Sequence, residues 1–293
     1  YITDRKQFAR NARSQRVRLL EKIAEAARYG VDFIQLREKD LSARELELLA
    51  REAVQVVREN SAPSGREGTT SAAQMWGTPE RQDSHPSAQN QGARVGHPAE
   101  EIQHPHFGEK CAGMGHPENL GHQRTRLLIN SRIDIALACG ADGVHLTSTD
   151  IPAGDARAVW SELAFSVPCS PFRVAEWLIA VSCHTPAEVR MAEAQGADFA
   201  VFAPVFEKST FPQRSGVGLD ALRDACTGAV AAKNVEGVAA GRMPVLALGG
   251  ITLENARACI EGGAAGIAAI RLFQENDIRL VVERLREYGN SPG

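Results

Sequence analysis

Short apolar runs alternate with longer amphipathic stretches along most of the 293-residue chain. Short apolar or β-branched runs read as buried strands, and spacings of three and four read as helices. The strand positions expected on this pattern are Phe33–Leu36, Leu127–Ile129, Gly143–Leu146, Leu178–Ser182, Phe199–Phe202, Val245–Leu248 and Gly266–Ile270. Tyr1–Thr3 supplies the tail of a first strand, which brings the number to eight. Helical spacing is expected over Leu19–Tyr29, Ala43–Glu59, Ile133–Cys139, Pro186–Gln195, Leu219–Cys226, Leu253–Glu261 and Ile278–Tyr288.

The ends of these helices repeat a signature: Gly30-Val31-Asp32, Gly140-Ala141-Asp142, Gly196-Ala197-Asp198 and Gly263-Ala264-Ala265. Glycine is the residue that ends a helix in the left-handed conformation at no steric cost. Repeated strand-then-helix units imply parallel strands joined by right-handed crossovers. Eight units fit an α/β fold of the (β/α)8 TIM-barrel type, with a doubly wound open sheet as the alternative, since periodicity does not report closure.

The pattern breaks once on a large scale. From about residue 60 to 123, between the second helix and the third strand, Gly, Pro, Ser, Gln and His dominate and apolar periodicity is lost. Such a segment lacks the apolar surface to offset its ordering entropy and is expected to be a long disordered insert in a surface loop. The rest of residues 1–293 reads as a single barrel domain. Six of the eight histidines, His85, His97, His104, His106, His116 and His122, lie in the insert at irregular spacing, a poor basis for a fixed metal site.

Composition narrows the partners. Hydrophobic residues make up 43% and the formal net charge is −3, so neither nucleic acid nor an anionic membrane is the expected partner. No run approaches the roughly 20 apolar residues of a membrane span, and no basic-then-apolar leader opens the chain. The six cysteines show no paired spacing. A reduced, cytoplasmic setting is the expectation. A homo-oligomer is compatible with all of this.

Active sites of such barrels lie at the C-terminal ends of the strands. After Phe33–Leu36, alternation puts Gln35, Arg37 and Lys39 on one face. Two cations at a strand end suit a phosphate or diphosphate, and a solvated charge cluster is the plainer reading. Asn130-Ser131-Arg132 follows the next strand, and Thr147-Ser148-Thr149-Asp150 the one after. Asp150 is placed either to hold a hydrated Mg²⁺ or to close a turn before Pro152. In Ser182-Cys183-His184-Thr185-Pro186, Thr185 and Pro186 look like a helix N-cap and first position, while Ser182 stays open as a site residue. Lys208 and Thr210 lie in a long loop ending Gly216-Val217-Gly218. Gly249 and Gly250, with Ile270 and Arg271, stand where loops of such barrels commonly cradle phosphate on backbone N–H groups.

In this order the stretches Tyr1–Arg5, Gln35–Lys39, Leu127–Arg132, Gly143–Asp150, Ser182–Thr185, the loop from Pro204, Gly249–Ile251 and Gly266–Ile270 resemble the thiamine phosphate synthase and TenI-type thiazole tautomerase family. The resemblance implies a transferase of thiamine biosynthesis acting on small phosphorylated substrates. It would couple a pyrimidine methyl diphosphate with a thiazole phosphate, Mg²⁺ being the cofactor. It places Gln35, Arg37, Lys39 and Asn130 on the diphosphate substrate, Ser182 on the pyrimidine, Asp150 on the metal, and Thr210, Gly250 and Ile270 on the thiazole phosphate. Departures are Ser131 for an expected second metal carboxylate, Lys208 for a threonine, Phe211 for a lysine and Arg271 for a serine. Lys208 is expected to replace the cation lost at Phe211, and Arg271 to bind phosphate directly. The alternatives are a tautomerase, whose catalytic histidine would fall at Pro204, and a non-catalytic phosphate-binding barrel.

Overall fold

The computed structural model describes residues 1–8, 11–61, 124–166, 177–206, 216–227 and 243–289. The expected insert at 60–123 therefore lies almost wholly outside the described residues, as do Lys208, Thr210 and Phe211. Among the described residues, seven strands form one parallel sheet in sequential order. They are β1 (Phe33–Leu36), β2 (Arg126–Asn130), β3 (Gly143–Leu146), β4 (Leu178–Cys183), β5 (Phe199–Phe202), β6 (Val245–Leu248) and β7 (Gly266–Ala268). The helices are α1 (Ala12–Arg28), α2 (Ala43–Asn60), α3 (Ile133–Cys139), α4 (Ala153–Ser166), α5 (Pro186–Ala194), α6 (Gly218–Thr227), α7 (Leu253–Glu261), α8 (Arg271–Gln274) and α9 (Ile278–Gly289). None of the described helices is long and apolar enough to cross a membrane.

Period-two alternation splits the buried strand residues among three clusters. Ala200, Phe202, Val245 and Ala247 of β5 and β6 pack with residues of α5, α6 and α7 in one of them. Ile34, Leu36, Leu127, Ile129, Val144, Leu146 and Ile179 pack outward with the helices. Ile2, Leu128, Ala180, Phe199, Val201, Leu246 and Ala268 form a separate inner cluster, on which Phe33, Leu178, Leu248 and Ile270 also pack. This inner layer is filled by side chains, with Phe33 and Phe199 stacked at 4.8 Å between centroids.

Tyr1–Thr3 lies between the first and last strands. The Ile2 N–H donates to Ala269 O at 3.0 Å, the Thr3 N–H to Gln35 O at 3.0 Å, and the Gln35 N–H to Tyr1 O at 2.8 Å. Ile2 and Gln35 form a parallel bridge.

The glycine signature at the helix ends takes the geometry expected of it. Gly30, Gly140, Gly196 and Gly263 all have positive φ, between 67° and 96°. The aspartates that follow two of them reach back to the preceding strand. Asp142 accepts from the Leu127 N–H at 2.8 Å and Asp198 from the Ile179 N–H at 2.6 Å. Arg124 pairs with Asp142 and Arg157 with Asp198. The N-terminal strand ends, opposite the candidate site, are thereby tied without help from the loops above.

Several local expectations change: α1 begins at Ala12 and not at Leu19, and Tyr1–Thr3 forms an isolated bridge at Ile2 and no strand of the sheet. Gly266–Ile270 ends as a strand at Ala268, and Ile270 instead stands at the N-cap of α8. Helix α4, absent from the sequence reading, is present because Ala153, Ala156 and Trp160 share one buried face, with Trp160 stacked on Trp177 at 4.5 Å. A stripe made of two alanines and a tryptophan gives little hydrophobic contrast, which is why periodicity did not mark it.

Gly143 has no room for a side chain: a Cβ there would sit 2.1 Å from Leu178 O and 2.8 Å from Leu128 Cδ2. Gly143→Ala is expected to cost about 3 kcal/mol by overpacking. Gly154→Ala, whose nearest neighbour would be Gln195 O at 3.5 Å, is expected to be neutral or stabilising by up to about 1 kcal/mol. Urea unfolding of the two variants checks this, and equal destabilisation would refute it.

Candidate active site

The polar residues collect where β1 to β4 end. Asp150 is the anchor. Its Oδ2 accepts from the Thr147 N–H at 2.6 Å, the Thr147 hydroxyl at 2.8 Å and the Ser131 hydroxyl at 2.7 Å. The turn-closing role open to Asp150 is thus realised through Oδ2, while among the described residues no hydrogen bond reaches Oδ1.

From this carboxylate the direction of a longer hydrogen-bond chain follows. An ionised carboxylate only accepts, so Ser131 donates to it and must itself accept. The Asn130 Nδ2 donates to Ser131 Oγ at 2.9 Å, and Gln35 Nε2 donates to Asn130 Oδ1 at 2.8 Å. Four residues from three strand ends are thereby oriented in one sense, from Gln35 to Asp150. Aligned chains of this kind polarise one another in a low-dielectric setting. Gln35 is 6% exposed, so this is a protein-internal network at its β1 end.

Ser131 reaches Asp150 because the backbone turns sharply there, at φ 58°, a left-handed conformation unusual for serine. A cleft of about 380 Å³ opens beside Ser131 and Asp150. Arg132 and Asp134, bonded to each other at 2.8 Å through Nε, also line it.

Ser182 belongs to a second pair that the sequence reading did not identify. Its hydroxyl lies 2.7 Å from Nε2 of His145, an inward residue of β3 that is 3% exposed. Burial chiefly, and the positive charge of Arg37 next, lower the His145 pKa to about 4, against a smaller opposing effect of Asp150. His145 is therefore neutral near pH 7. The available signal was its place in the register, opposite Asn130; a lone strand histidine carries no motif.

Arg37 is half-buried and Lys39 is exposed on the loop after β1. The Arg37 N–H is held by Thr3 Oγ1 at 2.9 Å. Among the described residues neither cation forms an ion pair.

Directly after β6, Gly249 and Gly250 have φ of 102° and 64°. A Cβ on Gly249 would lie 2.7 Å from Pro204 Cα, so this glycine is required by the protein's own loop. The Val205 and Phe206 N–H groups donate to Leu248 O and Gly249 O, and those of Val217 and Gly218 to Pro204 O and Val205 O. The Gly216-Val217-Gly218 stretch thus fastens the far end of the loop that carries Lys208 and Thr210. Gly250 O accepts from Asn255 Nδ2 at 3.0 Å, which fixes the turn into α7. Arg271 is exposed at the start of α8, next to Ile270.

The remaining candidates resolve as structural parts. Thr185 caps α5 by accepting from the Glu188 N–H, with Pro186 at the first helical position. Cys183 is buried, and desolvation pushes its thiol up to about 12, which removes it as a nucleophile. His184 is exposed, with Nδ1 2.6 Å from Ala203 O.

A neutral buried histidine leaves a mark on stability. The unfolded His145 takes up a proton near pH 6.5 and the folded one only near pH 4, so stability falls as pH is lowered through that window. The full difference is of order 3 kcal/mol. Thermal unfolding between pH 7 and 4 is expected to show this slope, reduced in His145→Gln; an equal slope in the variant would acquit His145.

The chain matches the family described as thiamine monophosphate synthase over residues 118–273, more than half its length. A protein of Aquifex aeolicus provisionally named thiamine-phosphate synthase 2 is 28% identical over 274 residues, covering 94% of this chain and 96% of the relative. The thiamine-phosphate synthase of Gloeobacter violaceus is 37% identical over 144 residues, which are 49% of this chain but only 35% of that protein. Among solved structures, a thiamine phosphate pyrophosphorylase from Pyrococcus furiosus superposes with a TM-score of 0.58 at 22% identity, covering 98% of this chain and 92% of that one, a likeness of fold. The matched stretch covers more than half of the chain and the fold likeness agrees with it, and the chain belongs to the thiamine monophosphate synthase family.

Proposed function

We propose that the protein is a thiamine phosphate synthase built on a closed (β/α)8 barrel. It joins a pyrimidine methyl diphosphate to a thiazole phosphate and releases pyrophosphate. The observation that carries the reading is the Gln35–Asn130–Ser131–Asp150 chain beside two cations without ion-pair partners among the described residues, Arg37 and Lys39. Closure is supported by Tyr1–Thr3, which bonds to β1 on one side and to Ala269 on the other.

In this reading the bond between the pyrimidine methylene carbon and the diphosphate oxygen breaks, and its electron pair leaves with the diphosphate. Arg37 and Lys39 stabilise the charge that accumulates there, which is where fixed cations contribute most to a rate. Gln35 and Asn130, their amides oriented by Asp150, hold the same substrate, and Ser182, fixed by His145, orients the pyrimidine ring. The thiazole nitrogen supplies its lone pair to the methylene carbon and forms the new C–N bond. That nitrogen carries no proton to lose, so the step needs no general base, in keeping with a neutral His145 engaged with Ser182. Gly250, Ile270 and Arg271, with Lys208 and Thr210 from the loop after β5, receive the thiazole phosphate.

The Asp150 donor set suits Mg²⁺, an ion that takes oxygen ligands and is held by one or two carboxylates plus water and phosphate oxygens. Asp150 Oδ1 is the oxygen available to it, and no group of three His, Cys, Asp or Glu converges among the described residues. When bound, the ion would add positive charge against the leaving diphosphate. Ser131 in place of a second carboxylate points to weak metal binding.

The tautomerase alternative is disfavoured by Pro204 at the position of its histidine and by the engagement of both described histidines elsewhere.

The test mixes purified protein with both substrates, with and without Mg²⁺, and measures thiamine phosphate and pyrophosphate. Metal-dependent product is expected, reduced about 100-fold or more in Asp150→Asn. Bound thiazole phosphate with no product would exclude the synthase reading.

A further inference from the structure

The loop after β1 reads Arg37-Glu38-Lys39-Asp40, two cations interleaved with two carboxylates. Left to themselves, neighbouring opposite charges pair and cancel as an anion site. Here both carboxylates are bound by Arg5, with Thr3 a further partner of Glu38 and Lys6 of Asp40. Arg5 Nη1 bonds Glu38 Oε2 at 3.0 Å and Asp40 Oδ1 at 2.7 Å, while Arg5 Nη2 bonds Asp40 Oδ2 at 2.9 Å. The Arg5 N–H adds contacts of 3.2 Å to both Glu38 oxygens, and the Thr3 hydroxyl donates to Glu38 Oε1 at 2.7 Å.

Glu38 is 4% exposed, and the Arg5 side chain is 11% exposed. A carboxylate that deep requires a partner, and in the absence of Arg5 the nearest cations in sequence are Arg37 and Lys39. The planar guanidinium is suited to the task, because its fork engages Asp40 with both terminal nitrogens while one of them also reaches Glu38. Asp40 is held well down, to about 2, chiefly by its hydrogen bond to Arg5. Lys6 reaches Asp40 as well, at 3.2 Å, but is itself mostly exposed.

We propose that Arg5 is a positioning residue for the diphosphate site: it sequesters Glu38 and Asp40 on its own guanidinium and so keeps Arg37 and Lys39 available to the anion. Arg5 does not touch substrate in this scheme; it acts through the charge balance of the loop. The inference rests on the diphosphate reading of Arg37 and Lys39 given above.

Inorganic pyrophosphate, titrated calorimetrically into the full chain, is the probe. Wild-type protein is compared with Arg5→Lys, Arg5→Gln and the triple variant Arg5→Gln/Glu38→Gln/Asp40→Asn. Arg5→Gln is expected to weaken binding about tenfold or more, the scale of one charge-assisted contact. Arg5→Lys is expected to retain part of the affinity. The triple variant, with no carboxylates left to claim the two cations, is expected to return to within about threefold of wild type. Neutralising Glu38 and Asp40 also relieves the stability cost of losing Arg5. Affinity is therefore compared only among variants whose circular dichroism and thermal unfolding show folded protein. A folded triple variant as weak as a folded Arg5→Gln overturns the proposal. Wild-type affinity in Arg5→Gln overturns it equally. Should Arg5→Gln fail to fold with Glu38 buried and unpaired, the contrast is read on Arg5→Lys. Binding weakened in Arg5→Lys and restored in Arg5→Lys/Glu38→Gln/Asp40→Asn supports the proposal, and equal affinity in the two overturns it. Absence of pyrophosphate binding by the wild-type chain would instead remove the diphosphate reading itself, and this inference with it.

Discussion

The backbone hydrogen bond from Ile2 to Ala269 is the constraint on which the upper face of the sheet depends. It holds Tyr1–Thr3 between the ends of the sheet, and so delivers Thr3 to the loop after β1. From Thr3 the order of dependence runs outward: its oxygen takes the Arg37 N–H and its hydroxyl binds Glu38, while Arg5, two residues on, collects the carboxylates. A three-residue segment thereby sets the position of charges that it does not itself carry.

The second centre of order is Asp150. Because an ionised carboxylate can only accept, it sets the donor sense of Ser131, and through it of both amides beyond. The groups offered by Gln35 and Asn130 are thus fixed before any ligand arrives. Pre-set orientation of this kind avoids reorganisation when charge develops, which is the main physical lever in electrostatic catalysis.

Much of the fold was legible in the sequence, and the reason is local. β1, β3, β5 and β6 begin and end at the expected residues because each is a compact apolar run bounded by a glycine, aspartate or proline turn. The glycines at 30, 140 and 196 marked helix ends because only glycine adopts their positive φ cheaply. Helix α4 escaped notice because alanine buries without contrast. The hydrogen-bonded cluster of the candidate site was legible at Gln35, Asn130 and Asp150, polar residues at or just after apolar strands. It was not legible at His145, whose role comes from a residue 37 positions away, nor at Arg5, whose partners lie 33 and 35 positions on. Contacts of that range are set by strand order and leave no spacing to read.

Ser131 carries a consequence for how such a site changes over time. Its φ of 58° is a conformation that asparagine, aspartate and glycine occupy more readily than serine. The backbone at this position is thus already shaped for residues that would add a carboxylate, an amide or nothing to the side of Asp150. The electrical character of the site can therefore be altered at one residue while the strand before it and the helix after it stay as they are. Position 131 is a place where the fold leaves chemistry open to selection.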